Sequence, residues 1–234
     1  MESDPVVFIV DDDASVRKSL ERLVRSVGLR GETFASAPEF LQRAAANGPS
    51  CLVLDVRMPG VSGLALQERL AAAGPRIPII FISGHGDITM SVRAMKAGAV
   101  DFLPKPFNDQ DLLETIQDAI ARDRQAREER SMLQDIQRRV ALLTPRQRDV
   151  LSLVTAGLLN KQIAAELGMS EKTVKAHRAQ VMEKMQASSV AQLVLLAEKV
   201  GLISPQAYHP RPKVRYRALS LINSRSDNRV GAQW

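Results

Sequence analysis

The chain has a single cysteine, Cys51, so no internal disulfide framework holds it together. Its three histidines, His85, His177 and His209, are scattered and show no metal-ligand spacing. No apolar run approaches the ~18 residues a membrane span needs, and no basic start leads into an apolar stretch as in a signal peptide. Aromatics are scarce: all six Phe precede residue 108, and residues 121–207 contain no Phe, Tyr or Trp. That argues against a base-stacking, single-strand nucleic-acid binder in the rear half. What remains, 45% hydrophobic and 25% charged, is the composition of a soluble globular chain, expected in the cytoplasm and with no membrane partner.

At 234 residues the chain suits two small domains better than one. The net charge of +6 is unevenly spread. Residues 1–120 hold 12 Lys/Arg against 16 Asp/Glu, a balance of −4, and residues 121–143 hold 6 against 4, or +2. Residues 144–200 hold 8 against 5, or +3, and residues 201–234 hold 6 against 1, or +5. An acidic front and a basic rear predict two kinds of work, the rear one beside an anion such as nucleic acid.

The front half alternates short β-branched runs with helical spacing. Val6–Val10 stops at Asp11-Asp12-Asp13, and Val16, Leu20, Leu23, Val24 and Val27 then keep helical spacing up to Gly28. Cys51–Leu54 ends at Asp55, followed by the turn Met58-Pro59-Gly60 and a helix through Leu64, Leu66 and Leu70. Ile79–Ile82 ends at Ser83-Gly84, with a helix through Val92 and Met95. Asp101–Leu103 ends at Pro104-Lys105-Pro106, with a helix from about Asp109, and a weaker strand is expected at Gly31–Phe34. Five strands alternating with helices predict a parallel sheet covered on both faces.

In such sheets functional groups gather at the carboxyl ends of the strands, here Asp11, Asp12, Asp13, Asp55, Ser83 and Lys105. Each has an ordinary alternative: an Asp after a strand commonly caps the next helix, a Ser-Gly pair commonly makes a turn, and a Lys is commonly solvated. Together at successive strand ends they suggest more. Converging carboxylates repel without a cation, and a hard cation held by one or two carboxylates, waters and a phosphoryl oxygen suits Mg²⁺. An Asp can itself be a nucleophile and form an aspartyl-phosphate.

Val10-Asp11-Asp12, Asp55 within LDVRMPGVSGL, Ser83 within ISGHGD and Lys105 within FLPKPF resemble, in order and spacing, the receiver domains of two-component response regulators. The resemblance covers residues 5 to about 125. It implies a flavodoxin-like (βα)5 α/β fold with Asp55 accepting phosphate from a sensor histidine kinase. It further implies Mg²⁺ held by Asp12, Asp55 and the backbone carbonyl of Arg57, with Asp11 acting through water. Lys105 would pair with the phosphoryl group, Ser83 would hydrogen-bond it, and Phe102 would be the switch aromatic. Lys105-Pro106 would be a cis peptide, and Arg57 and His85 would tune phosphoryl lifetime. Many relatives have Thr at the position of Ser83 and Tyr at that of Phe102.

In the rear half, Thr144-Pro145 is a clean helix start, with Val150, Leu151, Leu153 and Val154 following and Gly157 ending the helix. Asn160 is expected to cap a second helix closed by Gly168, and Ser170 a third, Glu171 to about Met185. A fourth runs from Ser189 to about Val200. Helix, glycine turn, capped helix is a helix-turn-helix arrangement. At about 100° per residue the third helix places Val174, Val181 and Met185 on a core stripe, with Lys172, Lys175, Ala176, Ala179 and Glu183 opposite. That narrow, basic, alanine-lined face suits a major groove, where lysine reaches guanine edges or phosphates and alanine methyls touch thymine methyls.

The string from Leu143 to Met185 resembles the LuxR-type helix-turn-helix, and with the receiver before it the chain resembles FixJ-type regulators of the NarL/FixJ group. The resemblance implies base-facing Lys175, Ala176 and Ala179, and phosphate or backbone contacts from Lys172, Thr173, Asn160, Lys161, Arg178 and Lys184. His177 is expected to pack. The resulting organisation is a receiver over 5–120, a helical linker over 121–143, an all-α reader of four helices over 144–200 and a basic tail over 201–234. Phosphorylation is expected to drive homodimerisation on double-stranded promoter DNA and to activate transcription, with RNA polymerase a further candidate partner. Catalysis is expected to go no further than self-phosphorylation and self-dephosphorylation. A helix from Asp109 to Val140 leaves Leu133, Ile136, Val140 and Leu143 as a stripe needing a partner. Two alternatives are a phosphorylation-independent DNA-binding regulator and an aspartate-nucleophile phosphohydrolase of haloacid-dehalogenase type. The second would need its nucleophile in Asp11-Asp12-Asp13 and a larger catalytic domain.

Overall fold

The computed structural model describes residues 4–43, 46–74, 77–84 and 88–203. His85 and the basic tail from 204 lie outside the described residues. The chain divides between Arg139 and Val140 into two compact units.

In the first unit, β1 (Val6–Val10), β2 (Arg30–Phe34), β3 (Ser50–Asp55), β4 (Ile79–Ser83) and β5 (Asp101–Pro104) form one sheet in the order β2-β1-β3-β4-β5. Every pairing is parallel, with Val10 opposite Leu54, Asp55 opposite Ile82 and Ser83 opposite Pro104. That register brings the carboxyl ends of β1, β3, β4 and β5 to one edge of the unit.

Strand alternation sorts side chains between two cores. Phe8, Val10, Leu52, Leu54 and Phe81 face one layer, covered by α2 (Ala37–Leu41), α3 (Gly63–Ala73) and α4 (Ile88–Lys96). Val7, Ile9, Cys51, Val53, Ile80 and Ile82 face the other, covered by α1 (Ala14–Ser26) and the start of α5 (Asp109–Ala141). Each fully buried apolar side chain of this size contributes about 2 kcal/mol. Burial also pushes the Cys51 thiol up to about 12, leaving it a packing residue.

Two features go beyond what the sequence predicts. The five-residue α2, capped by Ser36 onto the Glu39 N–H, is too short to show helical periodicity and was not anticipated. On α4 the inward position belongs to Ala94, fully buried, so Val92 and Met95 remain 45% and 44% exposed beside Ile88 at 80%.

In the second unit, α6 (Pro145–Thr155), α7 (Asn160–Leu167), α8 (Glu171–Met185) and α9 (Val190–Lys199) pack around Val150, Val154, Ile163, Val174, Val181, Met185 and Leu193. Thr144 caps α6 in a full capping box with Gln147. The cap of α7 is Leu159, not Asn160: Gln162 Oε1 accepts the Leu159 N–H at 2.8 Å, while Asn160 Oδ1 accepts from Arg178 Nη1 at 2.9 Å. Glycine at φ +62° in Gly168 permits the left-handed turn into α8, where Ser170 accepts the Thr173 N–H. The anticipated stripe is half-covered at Leu133 and Val140 and buried at Ile136 and Leu143.

Candidate functional site

At the carboxyl edge of the sheet, Lys105 Nζ donates to Asp11 Oδ2 at 2.7 Å and to Asp55 Oδ1 at 2.9 Å. Both carboxylates are buried, Asp11 at 1% and Asp55 at 6% exposure. Asp55 Oδ2 accepts the Arg57 N–H at 2.7 Å, and Asp11 Oδ1 accepts the Asp13 N–H at 2.9 Å. Ser83 is buried at the neighbouring strand end, and its carbonyl accepts the Lys105 N–H at 2.7 Å. Lys105-Pro106 is cis. Phe102 is half-buried, its ring 6.3 Å from that of Phe81.

The electrostatics follow from this crowding. Burial raises the Asp55 carboxyl above its ordinary range, against the lowering pull of Lys105, while Asp11 adds to the rise. Burial alone would lower Lys105, but its bonds to Asp11 and Asp55 prevail and hold the ammonium above its ordinary value. Asp13 caps α1: its carboxylate accepts from Ser15 Oγ and Ser15 N, which hold it below the usual carboxylate range.

Two contributors were not picked out from the sequence. Arg17 Nη1 donates to the carbonyls of Asp11 and Asp12 at 2.6 and 2.9 Å, fixing the acidic turn. Gly63 lies so close under Asp55 that a Cβ there would meet the Asp55 carbonyl at 2.3 Å and both Leu54 and Phe81 at 3.1 Å. The glycine after the Met58-Pro59-Gly60 turn was the available signal.

Asp12 is exposed, and among the described residues no three His, Cys, Asp or Glu side chains form a ready cation cage. Mg²⁺ needs only one or two carboxylates alongside carbonyl and water oxygens. Asp55, Asp12 and the Arg57 carbonyl would supply hard oxygen donors of that type, and the Arg57 N–H is already bonded to Asp55 Oδ2.

In the second unit Lys172, Thr173, Lys175, Ala176 and Ala179 are all exposed on α8, and Lys161 is exposed on α7. Arg178 and Asn160 are half-buried and bonded to each other. Lys184 Nζ donates to the Leu142 carbonyl at 3.0 Å and to Gln147 Oε1 at 2.9 Å. Gln147 Nε2 in turn donates to Gln180 Oε1, tying α6 to α8. His177 is half-buried within α8, with Nδ1 enclosed.

Residues 7–117 match the response regulator receiver domain family, and residues 141–197 match the luxR family of bacterial regulatory proteins. The chain is 53% identical over 197 residues to nodulation protein W of Bradyrhizobium diazoefficiens, covering 84% of this chain and 87% of that protein. It is 43% identical over 198 residues to the transcriptional regulatory protein FixJ of the same organism, covering 85% of this chain and 97% of FixJ. Among solved structures, the response regulator StyR matches with TM-score 0.79 and 50% identity, covering 84% of this chain and all of that one. No helix among the described residues is long and apolar enough to cross a membrane.

Proposed function

The chain is a two-component response regulator of the NarL/FixJ type, a receiver followed by a LuxR-type DNA-binding domain, and from that premise we propose that Asp55 is its phospho-acceptor and that phosphorylation drives dimerisation on promoter DNA. The observation that carries the reading is Lys105 bonded at once to Asp11 and Asp55 at the strand ends.

An Asp55 oxygen attacks the phosphorus of a kinase phosphohistidine, the P–N bond breaks, and the histidine leaves with its electron pair. Lys105 and the Arg57 N–H hold the carboxylate in place beforehand. As charge builds on the incoming group, Lys105 Nζ pairs with a phosphoryl oxygen and Ser83 Oγ donates to another. Asp12, Asp55 and the Arg57 carbonyl would hold Mg²⁺, with Asp11 acting through water, and such a cation would supply neutralising charge between the carboxylates and the phosphoryl group. Beside the acceptor, Val16, Leu20, Leu23 and Phe107 line a hollow of about 230 Å³ that suits docking of the sensor histidine kinase.

Drawing Ser83 toward the phosphoryl oxygen lets the half-buried Phe102 turn inward and repacks the adjoining face. That face includes the exposed α4 stripe of Ile88, Val92 and Met95, which a second receiver covers. The dimer then presents two α8 helices to paired half-sites, with Lys175, Ala176 and Ala179 on base edges. Lys172, Thr173, Lys161, Asn160, Arg178 and Lys184 contact phosphates or neighbouring backbone. The outcome is activation of transcription by recruitment of RNA polymerase, with chemistry limited to self-phosphorylation and self-dephosphorylation. The boundaries 5–120, 121–143 and 144–200 divide these tasks.

Asp55→Asn tests the reading. With acetyl phosphate and Mg²⁺, wild type gains one phosphoryl group by intact mass and shifts to dimer by light scattering, whereas the variant does neither. A variant that still dimerises and activates like wild type would overturn the switch. Steady turnover of phosphomonoesters would point instead to a phosphohydrolase.

A further inference from the structure

At the end of the sheet away from the acceptor, a cleft of about 460 Å³ opens between α2, the start of β3, the end of α3 and the middle of α5. That volume is in the range that accommodates small molecules, roughly 300–1,000 Å³. Phe40, Leu70 and Ile77 provide apolar wall, while Arg43, Arg127 and Arg130 are set against one acid, Asp123. The cleft is thus locally cationic within the first unit, residues 1–139, where 20 acids outnumber 18 bases.

The cations are held in place. Asp123, 2% exposed, accepts the Ser50 N–H at 2.8 Å and Arg127 Nε at 2.6 Å, with an Arg130 terminal nitrogen 3.7 Å away. Arg127 also donates to the Ala46 carbonyl at 3.3 Å, and Arg130 Nε to the Ala126 carbonyl at 3.0 Å. Arg43 stacks its guanidinium 4.1 and 4.3 Å from the ring centres of Phe8 and Phe40. Burial lowers its pKa, with Glu32 opposing that shift. Each guanidinium has five N–H donors, so Asp123 and two carbonyls do not exhaust Arg127 and Arg130. A fixed fork of cations above an apolar floor is the recognition chemistry for a compact anion with an apolar body.

We propose that this cleft is a binding site for a small organic anion, its apolar body against Phe40, Leu70 and Ile77 and its carboxylate or comparable acid group on Arg127 and Arg130. Arg127 and Arg130 lie on α5 between the two family matches, 7–117 and 141–197. An occupant bridges that stretch of helix to β3 and α3, and so offers a second input independent of Asp55.

The test is calorimetric titration of the full chain with 2-naphthoate, 2-naphthol and acetate. The expected result is saturable, one-to-one binding of 2-naphthoate, with 2-naphthol and acetate each at least about tenfold weaker because each lacks one half of the match. Arg130→Gln weakens 2-naphthoate about tenfold, the loss of one charge-assisted contact. Ala73→Trp, at the exposed last turn of α3, fills the cleft and abolishes binding while leaving every residue of the Asp123 cluster unchanged in identity. Thermal melts confirm that each variant is folded, and the two substitutions sit on separate helices so that one remains if the other fails. No saturable heat, equal binding of 2-naphthol, or undiminished binding to the folded variants would each overturn the proposal.

Discussion

The two units carry charge in opposite ways. In the receiver the buried Asp11 and Asp55 share the half-buried Lys105, and these three form a closed set before any partner arrives. On α8, the proposed reading helix, Lys172, Lys175, Ala176 and Ala179 face solvent. A buried charge must be paired locally or it destabilises the fold, whereas an exposed one waits for its partner without penalty. The first site therefore couples function to stability, and the second separates them.

Lys105→Met breaks the comparison hardest. Without the ammonium, two buried carboxylates face each other, and the receiver should lose about 3 kcal/mol in urea denaturation. The pH response carries a further signature. The folded value of Lys105 lies above its ordinary 10.5, so its stabilisation is fully present below that pH and is lost as pH rises through the folded value. Wild type should thus show an alkaline decline above about pH 10.5 that Lys105→Met lacks. An unchanged urea midpoint in the variant would mean that the closed set adds nothing to the fold.

Lys175→Ala sharpens the other side. On a DNA fragment selected by wild type from random sequence, affinity should fall about tenfold by fluorescence anisotropy, the loss of one base-edge contact. The melting curve should stay unchanged, because Lys175 is exposed and a substitution at such a site typically shifts stability by less than about 0.5 kcal/mol. A lowered melt would show that the reading face also holds the unit together.

The same contrast explains what could be read in advance. Acids at the ends of β1 and β3 and Lys105 after β5 are local signals, and parallel register brings them to one edge. The core stripe Val174, Val181 and Met185 follows from helical period alone. Gly63 and Arg17 escaped because their roles lie in contacts and not in spacing: the Asp55 carbonyl presses on one, and the other bonds two carbonyls in the preceding turn. Asn160 was misassigned as a cap because its amide finds Arg178, eighteen residues on, in preference to its own helix. Val92 and Met95 keep helical spacing yet stay exposed, since periodicity identifies a face without saying what covers it.

Arg178 is where the separation between the two regions is weakest, since it lies on the reading helix yet is bonded to Asn160 at 2.9 Å. If it also touches phosphate, Arg178→Gln should lower the slope of log affinity against log salt by about one, as expected for one lost phosphate neutralisation. Asn160→Ala removes the same internal bond but no cation, so the slope should hold while stability falls by about 1 kcal/mol. The difference in slope between the two variants, measured by anisotropy across a salt series, isolates the phosphate contribution from the strut. Equal slopes would make Arg178 a purely structural tie, and the reading helix would then share the receiver's habit of spending charge on its own fold.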